Sequence, residues 1–429
     1  MTNLSWRAFG RRTFVGGAAG AVAISLTACV GQGSTSTATT TDAASAAALP
    51  SADVTTTIKL WTYQTLPNAK SWDAAITRFN ARFPNVKVDT TNIPYAEMTS
   101  KLVGSGISKG IPDGVSYNPA DSAKLMEAGI IQEITPFWNS FADKGQFPDS
   151  VVWKMGDKVL SVQGYLNTTA IWYNKTILDK AGVTSVPTTI EEFSAALAKV
   201  KAAGYVGFVL AATPDGSGEF DFLPWFYGYG QNYGAFDKAT TQTVFENFGR
   251  WIDAGYIPKD VTNNNEDDNN NLFASGKYAF VQNGNWNLEK ARGAKYSFEW
   301  GVADFPAGSA GAHGIGGGEG FSIGAGTKYP ALVYKLFEEM LLTREAQLSI
   351  LKEQGSLPTR GDAGADTSIQ SNADLATYAK VVSELGARPN SPKISDYLNT
   401  FGRIVNSFVG GTIKADQAAD QVVQQLNAP

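Results

Sequence analysis

The order of apolar and polar positions predicts alternating strands and helices from residue 57 onward. Thr57–Tyr63 is a short apolar-rich run, and Val86–Thr91 alternates with the period of a strand that has one covered face. Ser71–Phe83 places apolar residues every three to four positions, which is typical of an amphipathic helix. Tyr95–Ser108 is predicted as a second helix and Ile111–Tyr117 as a third strand. This β-α-β-α-β order predicts an α/β fold with mostly parallel sheets flanked by helices.

Further along, Phe273–Trp286 predicts a helix end, a buried strand, a tight turn and one large aromatic side chain. Gly276 can take the left-handed conformation that ends a helix, and Tyr278–Val281 is a short apolar strand. The turn at Asn283–Asn285 delivers Trp286 just past the end of that strand. Ligands of open α/β sheets bind at the carboxyl ends of strands. Trp286 is therefore either a flat platform for a ligand or a core side chain under a loop.

The first 28 residues have the pattern of an export signal rather than of a folded domain. Three arginines precede or adjoin the apolar segment Phe14–Ala28, and the pair Arg11-Arg12 resembles the bacterial twin-arginine signal. The ending LTAC resembles a lipoprotein cleavage site, at which Cys29 would become the lipidated first residue. Residues 29–52 are rich in Ser, Thr, Ala and Gly, and they are predicted to be a disordered tether.

Length and composition limit what the remaining chain can be. About 375 residues are too many for one comfortable core, so two lobes are predicted. Cys29 is the only cysteine, which excludes internal disulfides and Cys-ligated metal clusters. Residues 1–28 hold three arginines and no acid, so their removal changes the formal net charge from −5 to −8. An acidic chain without a basic run argues against a nucleic-acid partner.

A series of short motifs follows along the chain in a definite order and spacing. They are Lys59–Trp61, Arg82–Val88, Ile111–Asp113, Glu127–Ile134, Ile171–Lys175, Ala181–Val183, Val186–Phe193, Gly276–Phe280, Gly284–Trp286, Asp304–Gly308, Gly316–Gly320 and Gln354–Arg360. In this order they resemble the bacterial extracellular solute-binding proteins, and most of all the sugar-binding branch that includes maltose-binding protein. Those proteins supply ATP-binding cassette (ABC) importers. The resemblance covers residues 57–427, and it rests on the series rather than on any one motif.

The resemblance implies a two-lobe fold like that of periplasmic binding proteins, joined by a hinge of several crossovers. The implied lobes are residues 53–165 with 308–355, and residues 166–307 with 356–429. Loop-like breaks between apolar strands and other elements predict the crossovers near Gly164–Thr169, Phe305–Ser309 and Ser356–Arg360.

A sugar site needs aromatic platforms for the ring faces and fixed donors and acceptors for the hydroxyl groups. The residues predicted to bind a ligand are Tyr63, Gln64, Tyr117, Asn118, Asp121, Tyr165, Asn167, Phe220, Asp221, Trp225, Trp286, Gly318, Glu319 and Arg360. In the segment after residue 219, the stacking partner stays open between Phe220, Phe222 and Trp225. Tyr63 and Gln64 can instead lie in an exposed loop, and Gly316–Gly320 can be a flexible loop between lobes.

Other chemistries lack their residue patterns. His313 is the only histidine, and no acid or nucleophile stands at the spacing of a catalytic triad. The run Asn263–Asn271 contains three acids but lacks the glycine and the terminal glutamate of a calcium-binding loop. A capping loop is predicted there, and ion binding stays open. No glycine-rich phosphate motif is present, so neither a metal nor a cofactor is predicted.

The leading hypothesis is a monomeric, non-enzymatic protein that captures a carbohydrate, in particular an oligosaccharide, and delivers it to an ABC permease by hinge closure. No segment after the export signal resembles a transmembrane helix, so the lipid on Cys29 is predicted to hold the protein at the outer face of the bacterial cytoplasmic membrane. One alternative keeps the fold but changes the ligand to a polyamine, peptide or compatible solute. A second is a lipid-anchored glycoside hydrolase that uses Asp221 and Glu319 as its carboxylate pair.

Overall fold

The computed structural model describes residues 48–63, 70–386, 388–389 and 391–427. The predicted export signal, Cys29, Gln64 and residues 29–47 of the predicted tether lie outside these ranges.

The described residues form fifteen strands. They are β1 (Thr56–Thr62), β2 (Val86–Asn92), β3 (Gly114–Tyr117), β4 (Ile131–Gln132), β5 (Val152–Met155), β6 (Lys158–Gln163), β7 (Tyr165–Leu166), β8 (Thr169–Asn174), β9 (Val206–Val209), β10 (Tyr278–Gly284), β11 (Trp300–Ala303), β12 (Gly314–Ile315), β13 (Gly320–Gly324), β14 (Leu357–Pro358) and β15 (Leu385–Gly386).

The α-helices surround these strands. They are α1 (Lys70–Arg82), α2 (Tyr95–Ile107), α3 (Ser122–Glu127), α4 (Thr135–Ser140), α5 (Lys175–Lys180), α6 (Ile190–Ala202), α7 (Gly216–Tyr227), α8 (Lys238–Asp253), α9 (Glu266–Ala274), α10 (Leu288–Ala294), α11 (Pro330–Phe337), α12 (Arg344–Gln354), α13 (Gly361–Gly364), α14 (Thr367–Gln370), α15 (Ala373–Ser383), α16 (Ile394–Val409) and α17 (Ala415–Leu426). Within the described residues, none of these helices has the length and apolar character needed to cross a membrane.

Local sequence signals begin several of these helices. Thr189 accepts a hydrogen bond from the Glu192 N–H at 3.2 Å and thereby caps the start of α6. The Glu192 carboxylate in turn accepts from the Thr188 N–H at 2.8 Å, one residue earlier than a capping box requires. Gly276 has φ +71° just after α9, as expected for a residue that ends a helix.

Two sheets define two α/β lobes, as predicted. The sheet of the first lobe has the order β2-β1-β3-β13-β6-β5, with β4 also paired to β13. The sheet of the second lobe has the order β11-β8-β10-β9. Each sheet is packed against its own apolar core. Leu60, Phe321 and Phe337 lie in the core of the first lobe, while Trp172 and Phe280 lie in that of the second.

The prediction that the sheets are mostly parallel is wrong. β1 is parallel to β2 and β3, and β10 is parallel to β9, but every other pairing within the two sheets is antiparallel. The antiparallel pairings follow from the edge of the sheet at which β13 and β8 begin. β13 begins at Gly320, opposite Tyr117 at the end of β3, and β8 begins at Thr169, opposite Gly284 at the end of β10. A strand that starts at the edge where its neighbour ends must run in the opposite direction.

Three segments of chain cross between the lobes, and they are hydrogen-bonded to one another. In the first and third crossovers, β7 pairs with β14. The first crossover is joined to the second at Asn167 and Gly317, whose backbones exchange hydrogen bonds of 3.1 and 2.8 Å. Asn285 ties the first crossover to the third, because its side-chain N–H groups donate to the carbonyls of Leu166 at 3.1 Å and Gly355 at 3.0 Å.

The second crossover lies later in the chain than the predicted Phe305–Ser309. β12 pairs with β15, and Ile315 is buried in the core of the second lobe. Residues 308–315, which were assigned to the first lobe from sequence, therefore pack with the second. A glycine-rich segment forms a turn here, with Gly308 donating to the Gly311 carbonyl at 3.0 Å, before the chain crosses at residues 316–319.

Prediction for the hinge. Asn285→Ala should lower the free energy of unfolding by about 3 kcal/mol, because the buried amide leaves two carbonyls and the Thr168 N–H without partners. Urea unfolding of the purified protein measures this change. The matched substitution Asn263→Ala, at an exposed asparagine, should stay within about 0.5 kcal/mol of the parent. Equal effects of the two variants would show that the crossovers do not depend on Asn285.

Candidate functional site

A cavity of about 390 Å³ lies where the two lobes meet the hinge. It lies in the size range of pockets that bind small molecules. Its aromatic and polar border includes Tyr63, Tyr95, Asn118, Tyr165, Asn167, Asp215, Phe220, Asn265, Glu266, Asp267, Trp286, Glu319, Gln354 and Arg388. The first lobe, the second lobe and the crossovers all contribute to this border, so a molecule in this cavity would touch both lobes.

Glu319 provides an acceptor on the second crossover. Its carboxylate accepts from the Tyr63 hydroxyl at 3.1 Å and from the Asn167 side-chain N–H at 3.4 Å. Burial raises the pKa of Glu319 to about 7, although hydrogen bonds from Tyr165 and Tyr63 offset part of the rise. The preceding Gly318 has φ +113°, and a Cβ atom there would lie 2.1 Å from the Tyr165 carbonyl oxygen, so glycine is needed at this position.

Phe220 and Trp286 form an aromatic wall of the cavity, with ring centroids 6.1 Å apart. Trp286 lies just past the end of β10, as the sequence predicted, and its side chain is half-buried. Its ring lies against Gly284, where a Cβ atom would come within 2.0 Å of the indole. Glycine at that position therefore lets the ring fold back over the strand end.

A buried ion pair supports this wall from behind. The Arg388 guanidinium lies 5.2 Å from the Phe220 ring centroid and forms a salt bridge with Glu219, whose side chain is fully buried. Arg388 also donates to the Gly316 carbonyl at 3.0 Å, and the Tyr233 hydroxyl donates to Glu219 at 2.9 Å. Burial raises the pKa of Glu219, and the charge of Arg388 counteracts part of that rise. The pair thus joins α7 to the second crossover next to the cavity.

A second cavity of about 440 Å³ adjoins the first on the far side of Tyr95. Asp121 borders it and accepts a hydrogen bond from the Thr99 hydroxyl. Burial raises the pKa of Asp121 to about 6, against the opposing effects of Thr99 and Lys124. Asn118 borders both cavities, and its side-chain oxygen accepts from the Ala120 N–H at 3.1 Å.

The structure brings most of the predicted site residues together. Those that border the first cavity are Tyr63, Asn118, Tyr165, Asn167, Phe220, Trp286, Gly318 and Glu319. Asp121 borders the second cavity, and Gln64 lies outside the described residues.

Four predicted residues lie elsewhere. The Tyr117 hydroxyl is buried beside Ser322 at 2.9 Å, in the interior of the first lobe. Arg360 is an ion-pair residue, bonded to Asp143 at 3.0 Å and to Asp362 at 2.8 Å. Tyr117 is the last residue of a strand in which every residue is buried, and the Arg360 charge is neutralised by acids close to it in space.

Asp221 and Trp225 were also wrongly predicted to face the ligand. Residues 216–227 form α7. Positions 221 and 225 are one turn apart on the same face, which is turned to the sheet. Both residues contact Gln282. The Trp225 indole N–H donates to the Gln282 side-chain oxygen at 2.9 Å, and the Gln282 side-chain N–H donates to the Asp221 carboxylate at 3.1 Å. Because Asp221 does not border the cavity, the proposed catalytic pair with Glu319 is not formed.

Several residues of the site were missed from sequence. Tyr95 follows Pro94 at the start of α2, and Asp215 caps α7 by accepting from the Ser217 N–H at 3.0 Å. The Asp-Gly-Ser sequence at residue 215 is a recognisable cap, so Asp215 could have been found. Arg388 had no such signal, because only the tertiary fold brings it to Glu219.

The run Asn263–Asn271 contains a helix start. Asn265 and Asp268 form a reciprocal cap of α9, which agrees with the predicted capping loop. Over the residues that the structure describes, no three or more His, Cys, Asp or Glu side chains are grouped so that they could hold a metal ion.

Solved structures share this two-lobe architecture. The GacH receptor of Streptomyces glaucescens, described unliganded and with acarbose, superposes with a TM-score of 0.77 and 23% identity over 87% of this chain and 97% of that one. A maltose/maltodextrin-binding domain from Bdellovibrio bacteriovorus gives 0.72 and 19% over 85% and 97%. The fold is therefore that of maltose-binding-type proteins. Among sequences, a protein of Brucella abortus (strain 2308) named as a binding protein is 23% identical over 90% of this chain and 95% of its own length.

The profile of the family described as bacterial extracellular solute-binding protein matches residues 74–377. The chain belongs to this family, as the order of its motifs indicated. The family is one of binding proteins that work outside the cytoplasm, and their partners are ABC transporters.

Prediction for the aromatic wall. Trp286→Ala should weaken ligand binding about a hundredfold (~2.8 kcal/mol). It should change the unliganded unfolding free energy by only about 1 kcal/mol, because the ring is half-buried. Calorimetric titration and urea unfolding measure the two effects. The matched variant Trp225→Ala should instead cost about 3–5 kcal/mol of stability, since Trp225 is buried in the core. A similarly large loss of unliganded stability in Trp286→Ala would place Trp286 in the core.

Prediction for Glu319. Its folded-state pKa of about 7 lies above the ordinary carboxyl value, so the fold favours the protonated form. The stability that protonated Glu319 contributes to the folded state is fully present below about pH 4.3, and it is lost as the pH rises through 7. As the pH rises from 5 to 8, the parent should therefore lose stability relative to Glu319→Gln, by on the order of 1–3 kcal/mol, because glutamine does not titrate. Unfolding curves of both proteins across this range test it. A difference that does not vary with pH would mean that Glu319 is ionised throughout.

Proposed function

We propose that this protein binds a carbohydrate, most favourably an oligosaccharide, in the first cavity and delivers it to an ABC permease. The observation that carries the proposal is the aromatic wall of Phe220 and Trp286, which shares one cavity with the fixed polar groups of Asn167 and Glu319. Flat apolar rings suit the faces of a sugar, and carboxylate and amide groups suit its hydroxyls. Neighbours of the same fold support the choice, since their descriptions name acarbose and maltotriose as ligands.

Capture would proceed by hinge closure. The polar groups that would meet a ligand come from both lobes and from the crossovers, so the ligand binds best when the lobes are closed. A ligand shifts this equilibrium only by its differential affinity for the two states. The closed, liganded form would then be the one that the permease recognises.

The carboxylate pair of the hydrolase alternative, Asp221 with Glu319, is not formed. Glycoside hydrolysis needs two carboxyl groups placed on either side of the scissile bond. Asp221, which was the candidate partner of Glu319, is buried and hydrogen-bonded to the Ala211 N–H at 2.5 Å. Because the family is one of binding proteins, we propose that the protein is not an enzyme and needs no cofactor.

The first 28 residues would direct export, and the lipid on Cys29 would hold the monomer at the outer face of the cytoplasmic membrane. The tether would let the two lobes move above the membrane while keeping them at high effective concentration near the permease. This anchoring rests on the sequence pattern alone.

An amine-bearing ligand is the second candidate, and one observation favours it. Glu266, Asp267, Asp215 and Glu319 border the first cavity, whereas its cationic residue, Arg388, is already paired with Glu219. An excess of carboxylates favours a positively charged ligand, such as a polyamine, a compatible solute or an amino sugar.

Prediction for the ligand. A thermal-shift screen should show stabilisation by oligosaccharides, and a ligand at about 100 times its dissociation constant adds roughly 2.7 kcal/mol. The parallel arms of the screen are polyamines, short peptides and betaine-type solutes. An uncharged buffer without polyamine is the blank. The Trp286→Ala protein is the control, because a true ligand should lose most of its effect there. Stabilisation by another class of solute, with none by any sugar, would overturn the carbohydrate assignment.

A further inference from the structure

Two adjacent cavities are divided by a partition of residues that border both of them, which are Tyr63, Tyr95, Ala96, Asn118, Asp215 and Gly216. Tyr95, the first residue of α2, borders both the cavity of about 390 Å³ and that of about 440 Å³. Its ring packs edge-on against Tyr63, with centroids 5.1 Å apart at an interplanar angle of 84°. The side of the partition from the second lobe is formed by Asp215 and Gly216, which also border both cavities.

Tyr95 reaches from the first lobe to the second. A Cβ atom at Gly216 would lie 2.8 Å from the Tyr95 hydroxyl oxygen, so the absence of a side chain at Gly216 makes room for the tyrosine. The residue is nevertheless 41% exposed. A ring that is held on one edge and exposed to solvent on the other can change rotamer without disturbing a core.

The second cavity also lies between the lobes. Thr99, Asp121 and Val103 border it from the first lobe, and Ser395, Leu398 and Asn399 of α16 border it from the second. Below it, Ile394 and Leu398 pack against Ala120, and Lys124 forms a salt bridge of 2.8 Å with Asp396. The lobes therefore contact each other beyond this cavity as well as at the hinge.

The lining suits another sugar unit. It combines a carboxyl group, hydroxyls and an amide with the apolar surfaces of Met98, Val103 and Leu398. Each cavity alone lies in the lower half of the volume range of small-molecule sites, and the two joined would lie towards its upper end. The joined space would suit a longer chain than the first cavity alone.

We propose that the second cavity is a further saccharide subsite and that Tyr95 determines how much of a chain reaches it. This inference rests on the proposed function and adds the length of the preferred ligand. In the position seen here, the Tyr95 ring divides the cleft, so a short saccharide occupies the first cavity alone. A longer chain displaces the ring and extends towards Asp121 and Asn399.

Two sets of variants test the proposal with a series of linear oligosaccharides of two to seven units, each titrated calorimetrically. Asn399→Trp would fill the second cavity, and it should weaken binding of the longer chains at least tenfold while leaving the affinity for the disaccharide unchanged. Arg403→Trp is the matched control on the same helix. Arg403 is exposed and does not border the cavity, so this variant should bind every length like the parent.

Tyr95→Ala and Tyr95→Phe test the partition. The alanine variant should raise the ratio of long-chain to short-chain affinity about tenfold, whereas the phenylalanine variant keeps the ring and should keep the parental ratio. The ratio is the readout because a contact of Tyr95 with the first sugar unit would change both affinities together.

The outcomes separate this proposal from the one on which it rests. If the parent binds short chains but Asn399→Trp and Tyr95→Ala leave the ratio unchanged, the subsite is overturned and the carbohydrate function stands. An equal loss at all lengths in Asn399→Trp would also overturn the subsite, because it would indicate hindered closure. If the parent binds no saccharide of any length, the proposed function fails, and the subsite fails with it.

Discussion

The hydrogen bonds that tie the three crossovers together are the constraint on which the rest of the structure depends. The backbone of Asn167 is paired with that of Gly317, and the Ser356 hydroxyl donates to the Asn167 side chain at 2.6 Å. Asn285 joins the first and third crossovers from the second lobe. The ladder between β7 and β14 is only two residues long, so side-chain amides satisfy further backbone groups of the crossovers. Glu319 and Trp286, which follow these bonded residues in the chain, both border one cavity.

Charges close to this hinge are desolvated, and the structure handles each in a different way. Glu219 is paired with Arg388, which also donates to the Gly316 carbonyl of the second crossover. Among the residues that the structure describes, Glu319 has no cationic partner; burial raises its pKa, and hydroxyl donors offset only part of the rise. A carboxyl group held in this way remains available to accept hydrogen bonds from a ligand, whereas a carboxylate in a salt bridge is already committed.

The fold is compatible with our proposal that a small number of side chains govern the length of the ligand. Contacts between the lobes occur at the hinge and again near α16, with cavities in between. A cleft bounded at both ends has a limited length, and a single aromatic ring across it can divide it. Tyr95 occupies that position because α2 begins at the edge of the first lobe, directly opposite the start of α7.

The sequence by itself determined the class of fold, the family and much of the site. Apolar periodicity and caps are local properties, so the strand that ends before Trp286 and the helix capped by Thr189 could be predicted from neighbouring residues. Only the tertiary structure decided which side of an element faces the cleft. Asp221 and Phe220 are adjacent in sequence, yet one is buried against the sheet and the other borders the cavity, because a helix turns each residue by about 100°. Arg388 and Glu219 are 169 positions apart, and no local pattern encodes a contact over that separation.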